Sequence, residues 1–237
     1  MKRKTDNRIG IIGGVGPQAT SVLYSEIMKF AQKKYGASEN DDYPHIIIES
    51  IPIPDFISDK ENIDEALLML KKVVINLENT GCKRLCIASN TVHLLIDDLK
   101  RSNNVDFTSM INMVAKRCRD LNMKKVGIVA SNVTIESKLY EKALEKFDIE
   151  IIKPDKNQRM VIDKIIRYVL AGEDNGRERK AYIQILNDLM DNGAEGIILG
   201  CTELPLAINY EALGNKVINS MKVLAETIVD YYYKNNI

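Results

Sequence analysis

Residues 9–20 have the sequence Ile-Gly-Ile-Ile-Gly-Gly-Val-Gly-Pro-Gln-Ala-Thr, and this stretch decides the fold class. A short apolar run, typical of a buried strand, ends in glycines and is followed by a helical pattern. The same alternation continues along the chain. It predicts strands at 9–12, 46–48, 84–88, 107–110, 125–130, 149–152 and 196–199, and helices at 19–33, 64–79, 92–100, 137–147, 158–170 and 177–192. Short strands separated by helices indicate parallel sheets covered by helices on both faces.

The two halves of the sequence also resemble each other. Two pairs of segments match: residues 9–13 with 126–130, and residues 85–91 with 197–203. Their spacing of about 115 residues is that of a duplicated domain and is too long for a solenoid repeat. Alternation alone would not explain why Ser89 and Cys201 follow the corresponding strand in both halves. We therefore predict an α/β fold of two similar domains, each a parallel sheet flanked by helices, related by a pseudo-twofold duplication.

The composition excludes several classes of protein. Lys plus Arg and Asp plus Glu number 33 each, so the chain lacks the basic excess that nucleic-acid binding requires. No apolar run approaches the roughly 18 residues that a membrane span needs. The charged N-terminus does not have the pattern of a signal peptide. We therefore expect a cytoplasmic protein with neither a nucleic-acid nor a membrane partner.

The cysteines and histidines do not form a metal or disulfide framework. The chain has four cysteines (Cys82, Cys86, Cys118 and Cys201) and two histidines. Cys82 and Cys86 are separated by three residues rather than the two of a zinc motif, and no other pair completes such a site. We expect neither a metal site nor a disulfide.

The ligand site is expected at the carboxyl ends of the strands, where open α/β sheets bind their ligands. Four segments occupy such positions: residues 13–20, 89–91, 131–134 and 201–203. If the two halves face each other across a pseudo-twofold axis, Ser89 and Cys201 approach one ligand from opposite sides. Inversion of a carbon centre needs that arrangement, because one group must remove a proton from one face while another returns a proton to the other.

Three motifs resemble those of one enzyme family. Residues 9–20 resemble the Gly-Gly-x-Gly-Pro-x-Ala-Thr signature that opens aspartate racemases. Residues 88–93 (Ala-Ser-Asn-Thr-Val-His) resemble the family's Cys-Asn-Thr-x-His motif, and residues 200–204 (Gly-Cys-Thr-Glu-Leu) resemble its Gly-Cys-Thr-Glu motif. Order and spacing agree from about residue 9 to residue 226, nearly the whole chain. The sequence thus resembles the aspartate/glutamate racemase family, whose two-cysteine enzymes work without pyridoxal phosphate.

The resemblance implies a fold and a reaction. It implies two α/β domains, over residues 1–111 and 112–216, with a C-terminal helix within residues 217–237 that returns to the first domain. It further implies an active site between the domains, no cofactor and no metal, and a homodimer. The expected activity is that of an isomerase, a racemase or epimerase that inverts Cα of an amino acid by proton transfer between Cys201 and the residue at position 89.

Several residues are expected to hold the substrate. They are Gly14, Val15, Phe56, Asn90, Thr91, Thr134, Thr202 and Glu203. Backbone N–H groups at helix starts after Asn90 and Thr202 suit a carboxylate, and such helix starts are expected to lower the pKa of the Cys201 thiol. Glu203 either tunes this thiol or binds the substrate ammonium group. His93 either orients Ser89 or has a structural role.

Two departures from the family pattern affect the expected chemistry. Ser89 stands where the family has cysteine, and a hydroxyl is far less acidic than a thiol and needs its own activating base. Ser89 is either a natural variant that makes the enzyme asymmetric or a cysteine replaced to trap a complex. Phe56 stands where the family has an arginine that binds a side-chain carboxylate, and Leu170 takes the place of a lysine. Without these cations, we expect a substrate whose side chain is apolar or small.

Two other functions remain open at this point. One is a one-cysteine lyase or isomerase of the same superfamily, such as a decarboxylase that protonates an enolate from one face. The other is a metabolite-binding protein that kept the fold and lost turnover. Gly14 and Gly16 also fit a dinucleotide fingerprint, but Glu49 comes too late to be its acidic residue and Pro17 lies inside the turn. These two features disfavour nucleotide binding, and the glycines are expected instead to let the backbone approach the substrate closely.

Overall fold

The computed structural model describes residues 7–54, 62–101, 103–173, 176–210 and 216–234. The chain divides into two compact units. The first consists of residues 1–110 and 224–237, and the second of residues 111–223. Each unit contains one parallel sheet.

The first unit is built on a four-stranded parallel sheet. Its strands are β1 (Arg8–Gly13), β2 (Ile46–Ser50), β3 (Cys82–Ile87) and β4 (Asp106–Thr108), in the order β2-β1-β3-β4. The helices between them are α1 (Pro17–Tyr35), α2 (Ile63–Asn79) and α3 (Ile96–Lys100), with 3-10 turns at Asn40–Asp42 and Thr91–Leu95. Apolar residues of β1, β3 and α2 form one buried cluster in this unit.

The glycine-rich turn between β1 and α1 has a backbone that only glycine adopts readily. Gly14 has a φ of 87°, and a Cβ atom there would lie 2.2 Å from the carbonyl oxygen of Ile51. Gly16, with a φ of 84°, caps α1, whose first residue is Pro17. Proline suits this position because its missing N–H would have no partner inside the helix. The turn therefore brings the chain sharply out of β1 and starts α1 close to the strand end.

The second unit repeats the arrangement of the first. Its strands are β5 (Lys125–Val129), β6 (Glu150–Ile152), β7 (Gly196–Leu199) and β8 (Val217–Asn219), in the order β6-β5-β7-β8. Its helices are α4 (Met110–Asp120), α5 (Asn132–Glu136), α6 (Leu139–Leu144), α7 (Lys156–Ala171), α8 (Gly176–Asp191) and α9 (Leu204–Ala207). Strand β5 thus corresponds to β1 and β7 to β3, which are the pairs that the sequence matches. The predicted fold class of two similar parallel α/β domains is confirmed.

The last helix, α10 (Ser220–Lys234), packs on the first unit from residue 224 onward. Asp230 accepts hydrogen bonds from Lys34 Nζ at 2.6 Å and from Tyr35 Oη at 2.9 Å. The ring of Tyr233 stacks on that of Tyr35 with 4.1 Å between centroids, and Tyr233 Oη donates to the carbonyl oxygen of Asp42. These contacts hold α10 against the first unit.

The observed boundaries differ from the predicted ones at the C-terminal side. The prediction assigned residues 217–237 to the returning helix, whereas the second unit extends to residue 223. The reason is strand β8, whose residues Val217 and Ile218 pair in parallel with Ile197 and Ile198 of β7. No strand was predicted there, because only two consecutive apolar residues, Val217 and Ile218, stand between Lys216 and Asn219.

Two predicted helices are divided in the structure. Residues 92–100 form the 3-10 turn Thr91–Leu95 followed by α3, rather than one α-helix. Residues 137–147 were predicted as one helix, but the left-handed Lys138, with a φ of 57°, delays the start of α6 to Leu139, and Glu145–Phe147 form a 3-10 turn after α6. Helix α4 was not predicted.

Candidate active site

The buried polar side chains share one location within their own units. Each belongs to the end of a strand or to the turn and helix that follow it. They are Thr20, Ser89, Asn90, Thr91, His93, Thr108, Ser109, Thr134, Thr202, Glu203, Asn219 and Ser220. Buried polar groups need hydrogen-bonding partners, and this edge of a parallel sheet is where α/β folds bind ligands. The carboxyl ends of the strands are therefore the candidate site in each unit.

The strand order places the expected residues next to the topological switch point of each sheet, between its two central strands. In the first sheet, β2 and β3 lie on opposite sides of β1, so the connections diverge between β1 and β3. Gly14 and Ser89 follow these two strands. In the second sheet, β5 and β7 have the same relation, and they are followed by Ser131 and Cys201.

Cys201 forms a hydrogen-bonded pair with a carboxylate. It is half-buried just after β7, and its Sγ atom donates to Oε2 of Glu203 over 3.0 Å. The hydroxyl of Thr202 donates to the same oxygen over 2.8 Å. Glu203 is itself buried. Of the two roles considered for Glu203, this geometry favours contact with the thiol.

The pKa of the Cys201 thiol is raised well above its ordinary value, because the group is removed from water and because Glu203 adds negative charge and accepts its hydrogen bond. Backbone N–H groups of Glu203 and Thr202 act in the opposite direction, as a helix start would, but they are outweighed. The expectation of a lowered pKa was therefore wrong. The resting residue is a thiol that holds a proton next to a carboxylate able to accept it.

Hydrogen bonds within the loop after β5, and from this loop to Asp163 of α7, hold its conformation. Thr134 is almost fully buried, and its hydroxyl accepts from Ser131 Oγ over 3.1 Å, while Ser131 also caps α5. Asn132 donates through its backbone N–H to Asp163 over 3.4 Å and through its side-chain amide to the same carboxylate. Burial raises the pKa of the Asp163 carboxyl, partly opposed by the Asn132 backbone, Arg167 and Arg159. Asp163 was not predicted, because it lies far from the loop in sequence.

His93 holds the loop after β3 through both ring nitrogens. Its Nε2 accepts the backbone N–H of Met110 at 3.0 Å, so the proton must be on Nδ1, which donates to the carbonyl oxygen of Ser89 at 2.8 Å. Burial lowers its pKa to about 4. The ring thus contacts the backbone of Ser89 rather than its hydroxyl, and its role is structural.

This buried histidine makes stability depend on pH in a defined window. The unfolded chain takes up a proton near pH 6.5, whereas folded His93 does so only near pH 4. Stability is therefore complete above about pH 6.5 and falls as the pH is lowered toward 4, by about 3 kcal/mol in total. Urea unfolding between about pH 7 and pH 4.5 measures this slope. His93→Gln should lose it and exposed His45→Gln should keep it; an unchanged slope in His93→Gln would refute the assignment.

The structure assigns Gly14 to the turn. Its N–H donates to the hydroxyl of Thr20 over 3.0 Å, and its α-carbon lies against the backbone of Ile51. The expected close approach of this backbone to the substrate stays a prediction. Val15 is half-buried and packs on the core cluster of the first unit. Asn90 and Thr91 are buried where the 3-10 turn begins.

The expected specificity residues are placed only in part. Phe56 lies outside the described residues, so its predicted contact is a matter for experiment. Leu170 is 44% exposed near the C-terminal end of α7. Thr108 and Ser109, and likewise Asn219 and Ser220, were missed by the sequence analysis. The sequence feature that could have indicated these four residues is a Ser-Met pair that occurs twice, at residues 109–110 after β4 and at 220–221 after β8.

Across the part of the chain that the structure describes, no three His, Cys, Asp or Glu side chains are grouped so that they could hold a metal ion. None of the described helices is long and apolar enough to cross a membrane.

Comparison with known proteins agrees with the three motifs. The profile of the family described as Asp/Glu/Hydantoin racemase matches residues 12–228, which include both strand ends that carry Ser89 and Cys201. The chain belongs to this racemase family. The predicted enzyme class, an isomerase of the amino-acid racemase type, is thereby confirmed.

Several relatives of this racemase cover nearly the whole chain. Broad specificity amino-acid racemase RacX of Bacillus subtilis is 28% identical over 226 residues, which is 94% of this chain and 97% of the relative. An aspartate racemase homologue from Pyrococcus horikoshii is 30% identical with a TM-score of 0.82 and coverage of 96% and 99%. Picrophilus torridus aspartate racemase is 25% identical with a TM-score of 0.82 and coverage of 96% and 94%.

Proposed function

We propose that this racemase inverts Cα of an amino acid by proton transfer between Cys201 on one face and Ser89 on the other, without a cofactor. The observation that carries this proposal is the hydrogen bond of 3.0 Å between Cys201 Sγ and Glu203 Oε2. A thiol beside a carboxylate can both release and recover a proton. Two-base transfer further requires the ends of β3 and β7 to face one bound substrate.

The reaction begins with the proton that Cys201 shares with Glu203. When the carboxylate accepts this proton, the resulting thiolate takes the α-hydrogen as a proton, and the electron pair of the C–H bond remains on Cα. Ser89 then gives its hydroxyl proton to the opposite face. The alkoxide left on Ser89 takes up a proton from water, and Glu203 releases to water the proton it accepted, which restores the resting state. Hydroxyl and amide groups of Asn90, Thr91, Thr134 and Thr202 supply hydrogen bonds to the substrate carboxylate, which stabilise the developing charge.

The two faces are unequal in acid/base strength. An alkyl hydroxyl needs an activating base, and His93, the nearest residue in sequence able to serve, uses both ring nitrogens in bonds to backbone groups. Proton removal by Ser89 is therefore the slow direction. This asymmetry also favours a second candidate, a lyase or isomerase of the same superfamily in which Cys201 protonates a carbanion from one face only.

The assay that separates these functions follows the Cα hydrogen in deuterated water with a panel of amino acids. Exchange with inversion supports the racemase. Exchange or decarboxylation without inversion supports the one-cysteine lyase or isomerase. Binding without exchange would refute both and indicate a protein that kept only the binding site. Chiral chromatography and mass spectrometry together provide the two readouts.

The substrate is proposed to be an amino acid with a small or apolar side chain. Phe56 and Leu170 stand where the family pattern has cations, and a carboxylate buried without a cation costs more than the roughly 2–7 kcal/mol of an unpaired neutral polar group. The name of the Bacillus subtilis relative, a broad specificity amino-acid racemase, agrees with a site that is not restricted to acidic substrates.

Substitution of the expected pocket residue tests this specificity. Phe56→Arg should improve binding of aspartate or glutamate by at least about tenfold, because the new guanidinium pairs with the side-chain carboxylate. Phe56→Leu is the matched control, since it keeps the site apolar and should show no such gain. Equilibrium binding of aspartate and alanine measures the change. If the unaltered protein already prefers aspartate to neutral amino acids, the assignment is wrong and another cation, such as Lys60 or Arg159, takes that role.

We also propose that the racemase is cytoplasmic and forms a homodimer, as the family resemblance implies. Light scattering after gel filtration measures the oligomeric state directly. A monomer at all accessible concentrations would contradict the second part of this proposal.

A further inference from the structure

Tyr182 has a buried hydroxyl group without a hydrogen-bonding partner among the described residues. The residue lies on α8 and is 0% exposed, and its Oη atom is inaccessible to water. A phenol group in an apolar core normally finds a partner, because leaving it unpaired destabilises the fold. A fully buried tyrosine that lacks one is therefore a candidate for a bond that forms only during function.

The surroundings of Tyr182 point to Cys201. Tyr182 belongs to the core cluster of the second unit that contains Leu199, the last residue of β7, and Cys201 packs against the same cluster. Burial raises the pKa of Tyr182, and the nearby Cys201 raises it further. The phenol thus stays protonated at ordinary pH and can act as a donor.

The position of Tyr182 along the axis of α8 agrees with a location near Cys201. Leu189 packs beside Gly127 of β5, since a Cβ atom on that glycine would lie 3.2 Å from Leu189 Cβ. Tyr182 is two turns closer to the start of α8, or about 10 Å along its axis. Because the helix runs back against the strand direction, this distance equals about three strand residues, which reaches the carboxyl end of β5. That is the level at which Cys201 follows β7.

We propose that the Tyr182 hydroxyl is the hydrogen-bond donor that stabilises the Cys201 thiolate formed during proton transfer. In the resting protein, Cys201 donates its own proton to Glu203 and needs no donor. When that proton leaves, sulfur gains a negative charge in a half-buried site, and the unpaired O–H of Tyr182 is available to it. Tyr182 is then a positioning residue that acts through Cys201. This inference rests on the proposed role of Cys201 in catalysis.

Tyr140 provides a matched control in the same unit. It is also fully buried, and Cys201 likewise contributes to the raised pKa of its hydroxyl, but that hydroxyl shares a hydrogen bond with Ser220. Tyr140→Phe therefore removes a bond that exists in the resting protein, and its melting temperature should fall by about 3 °C. Tyr182→Phe removes a group that has no such bond, so its melting temperature should stay the same or rise.

The test is the rate at which iodoacetamide alkylates Cys201 without substrate. The other cysteines are buried, and Cys201→Ala gives the background rate. At a pH below the pKa of the thiol, the rate follows the thiolate fraction, and Tyr182→Phe should lower it by about tenfold, which is what one hydrogen bond to a charged group is worth. Tyr140→Phe should leave it unchanged. In turnover, Tyr182→Phe should lower kcat by about tenfold with little change in KM.

Three results would overturn this proposal. The first is an alkylation rate that Tyr182→Phe leaves unchanged. The second is a higher KM at unchanged alkylation rate, which would assign the hydroxyl to the substrate instead. The third is a Tyr182→Phe protein that does not fold, or whose melting temperature falls as far as that of Tyr140→Phe. Either would show that the hydroxyl makes a structural bond. Alkylation needs no substrate, so it tests the contact with Tyr182 separately from the proposed function. If Tyr182→Phe slows alkylation but turnover survives Cys201→Ala, the proposed function is refuted and the contact with Tyr182 stands.

Discussion

Replacement of Cys201 by alanine will abolish exchange of the substrate Cα hydrogen, with a loss of at least about 10³-fold. The residue supplies the thiol that follows β7, and its Sγ proton is already bonded to Glu203. Alanine removes the proton donor and acceptor of one face while filling less space, so the fold should be kept. Deuterium incorporation at Cα, followed by NMR or mass spectrometry with each enantiomer, measures the loss.

Cys118→Ala is the control for a general effect of losing a thiol. Cys118 is fully buried in the other core cluster of the second unit, and burial raises its pKa to about 12. Cys118→Ala should destabilise the fold through a small cavity, but its turnover should stay within about 3-fold of that of the unaltered protein. If Cys118 proved essential while Cys201 was dispensable, the assignment of the active site to the end of β7 would be wrong.

Restoration of a thiol at position 89 should increase racemisation by at least about 10²-fold, the low end of what a positioned acid/base contributes. The reason is the match of pKa to working pH, which a thiol can approach and an alkyl hydroxyl cannot without a base. The gain in Ser89→Cys should appear mainly with the enantiomer that reacts slowly in the unaltered protein. Racemisation assays in both directions, over a panel of amino acids, measure it.

Ser89→Ala is the matched control for this experiment, because it removes the hydroxyl without adding a thiol. Equal racemisation by the serine and cysteine forms would mean that Ser89 is already a competent base. The activating group would then have to come from a residue other than His93, whose ring nitrogens bind the backbone of Ser89 and Met110. Absence of activity in every form would favour a binding protein.

The fold could be predicted wherever the pattern is local. The strand and helix on either side of the glycine turn at residues 13–16 are both long and periodic, and the match between residues 85–91 and 197–203 identified the equivalent strands β3 and β7. Strand β8 was missed because its three residues are defined as a strand only by their pairing with β7. The late start of α6 was missed because the left-handed conformation of Lys138 has no signal in the composition.

The candidate site shows the same division between local and tertiary information. Ser89, Cys201 and Glu203 follow their strands directly, so their burial at the sheet edge follows from the sequence pattern. Asp163 bonds to the loop after β5, and Tyr182 packs in the core cluster that contains Leu199, both from helices distant in sequence. The direction of the Cys201 pKa shift depended on weighing burial and the Glu203 charge against two backbone N–H groups, and those opposing contributions exist only once the chain is folded.

The central claim is that the two faces of the substrate meet unequal groups, a thiol paired with Glu203 and a hydroxyl without a base. It is tested most directly by the initial rate of Cα deuterium incorporation in the unaltered protein, measured separately from each pure enantiomer. We predict that one enantiomer exchanges at least about 10²-fold faster than the other, and that this faster exchange disappears in Cys201→Ala. Equal initial rates from the two enantiomers, or fast exchange that persists without Cys201, would contradict the account.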